Sequence, residues 1–366
     1  MKELMQIFNT ENTAWKDGRY SLFLGQPLAL HDTINMNYPS IDKITRKQIT
    51  NRWQFDEFNH DQSRMDLLSC PRSVYQVMLM NLAFQWEADS LASRAIAPAF
   101  APFVTNSEFW EGLLENTLME VTHTKTYSEI VRTCVPDPSE VFKMVMENQE
   151  TLLRCDTMNK AFSSLIKLGA AYTLGQVENN QETYNAVFKG MFALYLLERL
   201  QFMSSFAATF AIVEQGYFQS IGKAVQKIMV DEVDCHAALD LEALKIELRT
   251  ERGRIALAAC LADMQAMLDE VVAREIWWGL YLFSQGRSIV GLNPTLLKEW
   301  VLFNAQVIYA EFGLVNPYAI IAHNPLPWMA NWIDIDKHQN AQQEAAGNNY
   351  ALNVVKDDLG SEELDF

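Results

Sequence analysis

Chain breakers are scarce. Glycine occurs 15 times and proline 11 times in 366 residues, which argues against a fold of many tight turns and for long helices. No Gly/Ser/Pro linker and no internal repeat divides the chain. One large domain is expected over residues 1–335, with residues 1–40 as an N-terminal arm, followed by a tail over residues 336–366. The five cysteines (Cys70, Cys134, Cys155, Cys235 and Cys260) are scattered, with no Cys-x-x-Cys pair. An odd, dispersed set without a signal-peptide pattern points to reduced thiols in a cytoplasmic protein. Positive charge is short as well: 29 Lys and Arg stand against 46 Asp and Glu, for a formal net charge of −17. Nucleic acid is therefore not an expected partner, because phosphate binding needs clustered Lys and Arg. No charge-free apolar run approaches the roughly 20 residues that span a bilayer. Runs such as Phe202 to Val213 are short and carry Ser and Thr, as suits a buried helix.

What is present is apolar mass, 49% hydrophobic and 11% aromatic, enough for a large core. A helix is expected from about Asp42, with Trp53 near its end. Ser73 to Ile96 has a broad apolar surface, with Pro71 near its start and Pro98 as its terminator. Asn106 or Ser107 is a good N-cap for a helix reaching about Cys134, where Pro136 and Pro138 stop it. Two helical segments fill Val141 to Leu174. Long helices then follow over Tyr184 to Glu214, Ile221 to Leu248, Leu257 to Phe283 and Pro294 to Phe312. The last stretch, Lys356 to Phe366, is acidic with spaced Leu359, Leu364 and Phe366. It cannot build a core, and it has the composition of a peptide that orders on docking.

The chemistry gathers at Glu120-Val-Thr-His123-Thr-Lys-Thr-Tyr127. Spacings of three and four put Glu120, His123 and Tyr127 on one helix face. Glu-x-x-His is the helical di-metal motif of four-helix bundles, and it gains weight when other helices supply matching ligands. Asp89 precedes it, and Glu198 and a Glu232/His236 pair follow, each in an apolar, helix-patterned segment. Carboxylates and imidazoles suit iron or manganese, and four carboxylates balance two divalent ions.

With these residues laid out, the chain resembles the small, radical-generating subunit of class I ribonucleotide reductase, from about residue 35 onward. The resemblance implies an all-α, ferritin-like four-helix bundle extended by further long helices. It implies Asp89, Glu120, His123, Glu198, Glu232 and His236 as metal ligands, and Tyr127 as the radical tyrosine. Phe202, Phe206 and Ile228 correspond to the apolar pocket around the radical. Asp231 corresponds to the aspartate that orients a metal-bound histidine, Trp53 to the tryptophan it contacts, and Tyr350 to a relay tyrosine in the tail. The implied cofactor is a pair of iron ions activated by O2, although ligand types alone do not separate Fe/Fe from Mn/Fe. The implied partners are a large subunit, reached through the C-terminal tail, and a second copy of the chain. The resemblance implies that the radical is relayed through Trp53 and Tyr350 to the large subunit, where ribonucleotides lose their 2′-hydroxyl. A ferritin-like di-iron oxidase explains the carboxylates but not Tyr127, Trp53 or the tail. A small-molecule oxygenase needs a substrate cavity where large apolar side chains stand, and a plain helical scaffold would bind no metal.

One spacing departs from the family pattern. The final pair should be Glu-x-x-His but reads Glu232-Val-Asp-Cys-His236, one residue too long. At roughly 100° per residue, positions i+3 and i+4 lie on the face of the Glu but about 100° apart. A one-residue π-turn would return His236 to the metals. Otherwise Cys235 takes the ligand position, as a thiolate exposed to oxidation, or the second metal takes water instead of imidazole. Asp234 points away in every case. The expectation is His236 as ligand, with an irregular turn between about Met229 and Ala237.

Overall fold

The computed structural model describes residues 21–26 and 31–333. The expected tail, with Tyr350, and most of the expected arm lie outside the described residues. The described residues are mainly helical, with only isolated β-bridges at Phe23–Val104 and Ile289–Leu292. In chain order the helices are α1 (Pro39–Thr50), α2 (Asp61–Ser69), α3 (Arg72–Phe100), α4 (Ser107–Cys134), α5 (Pro138–Glu147), α6 (Gln149–Thr173) and α7 (Gln181–Leu196). There follow α8 (Met203–Val213), α9 (Gln219–Asp231), α10 (Ala237–Leu248), α11 (Glu251–Leu282), α12 (Pro294–Glu311) and the short α13 (Met329–Ile333).

Helix starts obey local chemistry. The side chain of Asn106 accepts from the Phe109 N–H at 2.8 Å. Asp137, Asn148, Asn180, Thr250 and Asn293 cap α5, α6, α7, α11 and α12 in the same way, each satisfying a donor that the helix leaves free. Pro98 does not terminate α3, contrary to the sequence expectation. It sits inside the last turn, and the helix continues to Phe100. So near the end its missing N–H removes one bond, to the carbonyl of Arg94, and the N–H of Ala101 still reaches Ala97 at 2.9 Å.

Two of the long helices expected from the sequence are interrupted by single π-turns. Leu197–Gln201 separates α7 from α8, and Glu232–His236 separates α9 from α10. The two π-turns pack on each other, and α3 packs along α4. These four helical rods form the bundle, and α6, α11 and α12 extend it. The rod Gln181–Val213 is long and apolar enough to cross a bilayer, but 94% of its most apolar window is buried inside the protein. It is therefore read as the central core helix.

A buried ion pair locks the outer layer to this rod. Arg154 and Glu275 are 2% and 0% exposed and meet through two bonds of 2.8 and 2.7 Å. The Arg154 guanidinium also donates to Ser205 Oγ at 3.0 Å and to the Gln201 carbonyl at 2.8 Å. Its central carbon, Cζ, lies 3.3 Å from the centre of the Phe84 ring. Ser204 donates to Glu275 at 2.6 Å. The Gln201 carbonyl belongs to the first π-turn, so this arginine satisfies an acceptor at the point where regular helix bonding shifts.

Arg154→Met should leave Glu275 buried without its cation and cost about 3–5 kcal/mol. Adding Glu275→Leu should recover most of the loss, because an apolar pair of similar volume removes the unpaired charge. Urea midpoints of the metal-free proteins measure both effects. A single-variant loss below about 1 kcal/mol, within the range of an exposed pair, would show that the pair is not structurally important.

Candidate metal centre

Each rod contributes one or two side chains. Asp89 comes from α3, and Glu120 and His123 come from α4. Glu198 sits on the first π-turn, and Glu232 and His236 sit on the second. All six are 0% exposed. Their ligand atoms fall into two overlapping sets, Asp89/Glu120/His123/Glu232 and Glu120/Glu198/Glu232/His236, with the atoms of each set within 4.8 Å of one another. Glu120 and Glu232 belong to both sets. His123 Nδ1 lies 3.0 Å from Glu232 and 3.8 Å from Asp89. His236 Nδ1 lies 2.9 Å from Glu232, 3.2 Å from Glu120 and 3.9 Å from Glu198.

The irregular turn expected between Met229 and Ala237 is the π-turn Glu232–His236, and it brings the His236 imidazole into the cluster. Cys235 is buried but stands outside both ligand sets, and burial pushes its thiol up to about 12. Asp234 faces outward and pairs with Lys47 at 3.1 Å. The π-turn carrying Glu198 had no signal in the sequence.

Seven of the eight carboxylate oxygens of Asp89, Glu120, Glu198 and Glu232 have no hydrogen-bond partner, and neither does His123 Nδ1. Burial pushes Asp89 and Glu232 well above the carboxylate range, and their acidic neighbours add to it. Burial and the Glu198 charge raise Glu120. Glu198, although burial pushes it up, is held below its ordinary value by the neighbouring Glu232 and by the imidazoles of His236 and His123. His236 is raised well above its ordinary value, because Glu232 and its other acidic neighbours outweigh the burial that disfavours its charge. Buried carboxylates lacking donors are costly, whereas hard oxygen and imidazole donors are what Fe and Mn bind. The donor set therefore fits a pair of divalent ions, two of its carboxylates being placed to be shared.

A polar chain leads outward from this cluster. His123 Nε2 lies 3.2 Å from Asp231, and Trp53 Nε1 donates to the same carboxylate oxygen at 2.7 Å. The Trp53 and His123 rings are nearly parallel, with centroids 5.8 Å apart. Tyr127 is fully buried and its hydroxyl has no partner. Burial, with the charges of Asp89, Glu232 and Glu120, pushes its phenol far above the ordinary tyrosine range. Phe202, Phe206 and Ile228 are fully buried in the same core, and the two phenylalanine rings stack at 5.5 Å.

Sequence reasoning missed several polar groups of this core. Asp240, one turn beyond His236, is 0% exposed with neither oxygen partnered. Asn81 and Gln85, at four-residue steps before Asp89 on α3, are equally buried, and their amide groups have no partners. The four-residue spacing from Asp89 and His236, both singled out in the sequence, was the available signal.

Residues 31–325 match the family described as ribonucleotide reductase, small chain. The ribonucleoside-diphosphate reductase 1 subunit beta of Salmonella typhimurium is 24% identical over 361 residues, covering 94% of each chain. Among solved structures, a ribonucleotide reductase R2 subunit from Clostridium botulinum superposes with a TM-score of 0.78 at 21% identity, covering 90% of this chain and 98% of that one. A dimanganese(II) NrdF protein from Streptococcus sanguinis superposes with a TM-score of 0.66 at 15% identity, covering 83% and 99%.

The shared carboxylates make a distinguishing prediction. Glu120→Gln or Glu232→Gln should weaken both metal positions, whereas Asp89→Asn or Glu198→Gln should weaken only one. Titration of the metal-free variants with Mn(II) gives the count. Loss of a single ion in both shared-residue variants would contradict the overlapping arrangement.

Proposed function

The chain belongs to the ribonucleotide reductase small-chain family, and on that premise we propose that it is the radical-generating subunit of a ribonucleoside-diphosphate reductase. The observation that carries the reading is the pair of buried ligand sets sharing Glu120 and Glu232. Asp89, Glu120, His123 and Glu232 would hold one ion, and Glu120, Glu198, Glu232 and His236 the other. The same donors accept manganese; an intact Tyr127 favours two irons and a stored tyrosyl radical. Bound there, the metal pair supplies, with O2, the oxidising power needed to take one electron from Tyr127.

The protein's own part begins with the phenol. On oxidation Tyr127 gives up an electron and its hydroxyl proton together, because a buried phenol cannot keep a net positive charge. Asp89, Glu232 and Glu120 are the carboxylates whose charges act on the Tyr127 phenol, and the proton would pass to this acidic cluster. Phe202, Phe206 and Ile228 keep water and reductants from the resulting neutral radical. The 3.2 Å and 2.7 Å contacts of His123–Asp231–Trp53 give a continuous polar path from the ligands toward the surface. Asp231 accepts from both sides and so fixes the His123 ring with Nδ1 toward the metals.

Members of this family work with a large subunit and are typically dimers. In the proposed assembly, residues 1–335 form the helical domain, and the tail from residue 336 docks on the large subunit. Tyr350 passes the radical between Trp53 and the partner's site of ribonucleotide reduction. A small-molecule oxygenase would need substrate space beside the metals. A groove of about 480 Å³ lies among Thr157, Leu165, Gly190 and Met267 of α6, α7 and α11, none of which belongs to the cluster.

Tyr127→Phe should retain two metals per chain but lose the organic radical signal and all turnover with the large subunit. A normal signal in that variant would sink the assignment. Deleting residues 351–366 should leave metals and radical intact while abolishing binding to the large subunit. Normal turnover by the truncated chain at ordinary partner concentrations would rule out the tail as the docking element.

A further inference from the structure

The two cluster histidines differ on their outer sides. His123 turns Nδ1 toward the carboxylates and has Asp231 3.2 Å from Nε2. His236 also turns Nδ1 inward, 2.9 Å from Glu232 and 3.2 Å from Glu120. Its Nε2 is buried and has no hydrogen-bond partner. An imidazole that presents a lone pair at Nδ1 carries its proton on Nε2, and a ligating histidine nearly always gives that proton to a carboxylate, a carbonyl or water. Leaving the N–H buried and unmatched costs about 1–3 kcal/mol.

An acceptor of the right kind stands one turn away. Asp240 lies in the first turn of the regular helix α10, four residues after His236, the last residue of the π-turn, and that spacing returns to about the same face. It is 0% exposed, with both oxygens unpartnered. Burial apart, the groups that act on it are Glu198, His236 and Glu120, which sets it beside the His236 half of the cluster. Tyr195, on α7, also feels its charge. A donor without an acceptor and an acceptor without a donor, both buried and one helical turn apart, are complementary. No direct hydrogen bond joins them, and a single water bonded to both would satisfy them.

We propose that Asp240 is the positioning residue for His236, accepting its Nε2–H through one bridging water and so holding Nδ1 toward the second metal position. The inference rests on the metal-binding reading above. It gives each histidine its own aspartate, Asp231 for His123 and Asp240 for His236. It also supplies a reason for an acidic side chain in an otherwise apolar stretch of α10.

The test uses the full-length metal-free chain titrated anaerobically with Mn(II), with free ion followed by electron paramagnetic resonance. The parent should bind two ions. Asp240→Asn should leave the tighter ion in place and weaken the other by about 10–100-fold, as His236→Ala should. In the His236→Ala background, Asp240→Asn should cause no further loss. Thermal unfolding of the metal-free chains supplies a second readout. Asp240→Asn should be at least as stable as the parent, because it removes an unpaired buried carboxylate, whereas a merely structural Asp240 would lower the midpoint. If the Asn variant does not fold, Asp240→Ala takes its place in the same cycle. Unchanged second-ion affinity in Asp240→Asn, or an equal loss with and without His236, overturns this inference alone. A parent chain that binds no second ion overturns it together with the metal-binding reading.

Discussion

Four carboxylates and two imidazoles are enclosed at one point of this bundle with no exposure to water. Desolvation costs several kcal/mol per buried ion even after relaxation, and most of the carboxylate oxygens have no donor to offset it. Such a cluster is sustained by cations or by protons. The surrounding architecture suits cations: two of the carboxylates are placed between two sets of ligands, and each imidazole turns the same nitrogen inward. The rest of the fold holds these six groups together against their mutual repulsion.

That task falls on irregular backbone. Glu198 and the Glu232/His236 pair sit on π-turns that pack on each other, each shifting a helix face locally so that a ligand can point inward. A π-turn leaves its carbonyls poorly matched, and the buried Arg154–Glu275 pair anchors one of them through the Gln201 carbonyl. Asp231 and Trp53 act from the opposite side. The buried cluster is therefore braced from the outer helix layer and from the segment after α1 at once.

Much of this was legible in the residues. Helix-spaced Glu120, His123 and Tyr127 and the isolated acids in apolar segments pointed to the site. The extra residue between Glu232 and His236 pointed to the π-turn, because a counting argument on one helix suffices there. The π-turn at Glu198 was not legible: its stretch has no spacing anomaly, and the second π-turn that it packs on is distant in sequence. Pro98 misled because its effect depends on distance from the helix end, which the sequence does not mark. Asp240 was passed over because an acid on a helix is ordinarily exposed, and only the fold shows it enclosed.

The central claim is that the buried cluster is a redox-active di-metal site that oxidises Tyr127. Its most direct test is anaerobic loading of the metal-free chain with Fe(II), a metal count, and then exposure to O2 with electron paramagnetic resonance detection, using protein made with ring-deuterated tyrosine alongside the ordinary chain. The account predicts two irons per chain and a stable organic radical whose hyperfine splitting collapses on deuteration. Two irons with no radical, or a radical unaffected by tyrosine deuteration, would contradict it.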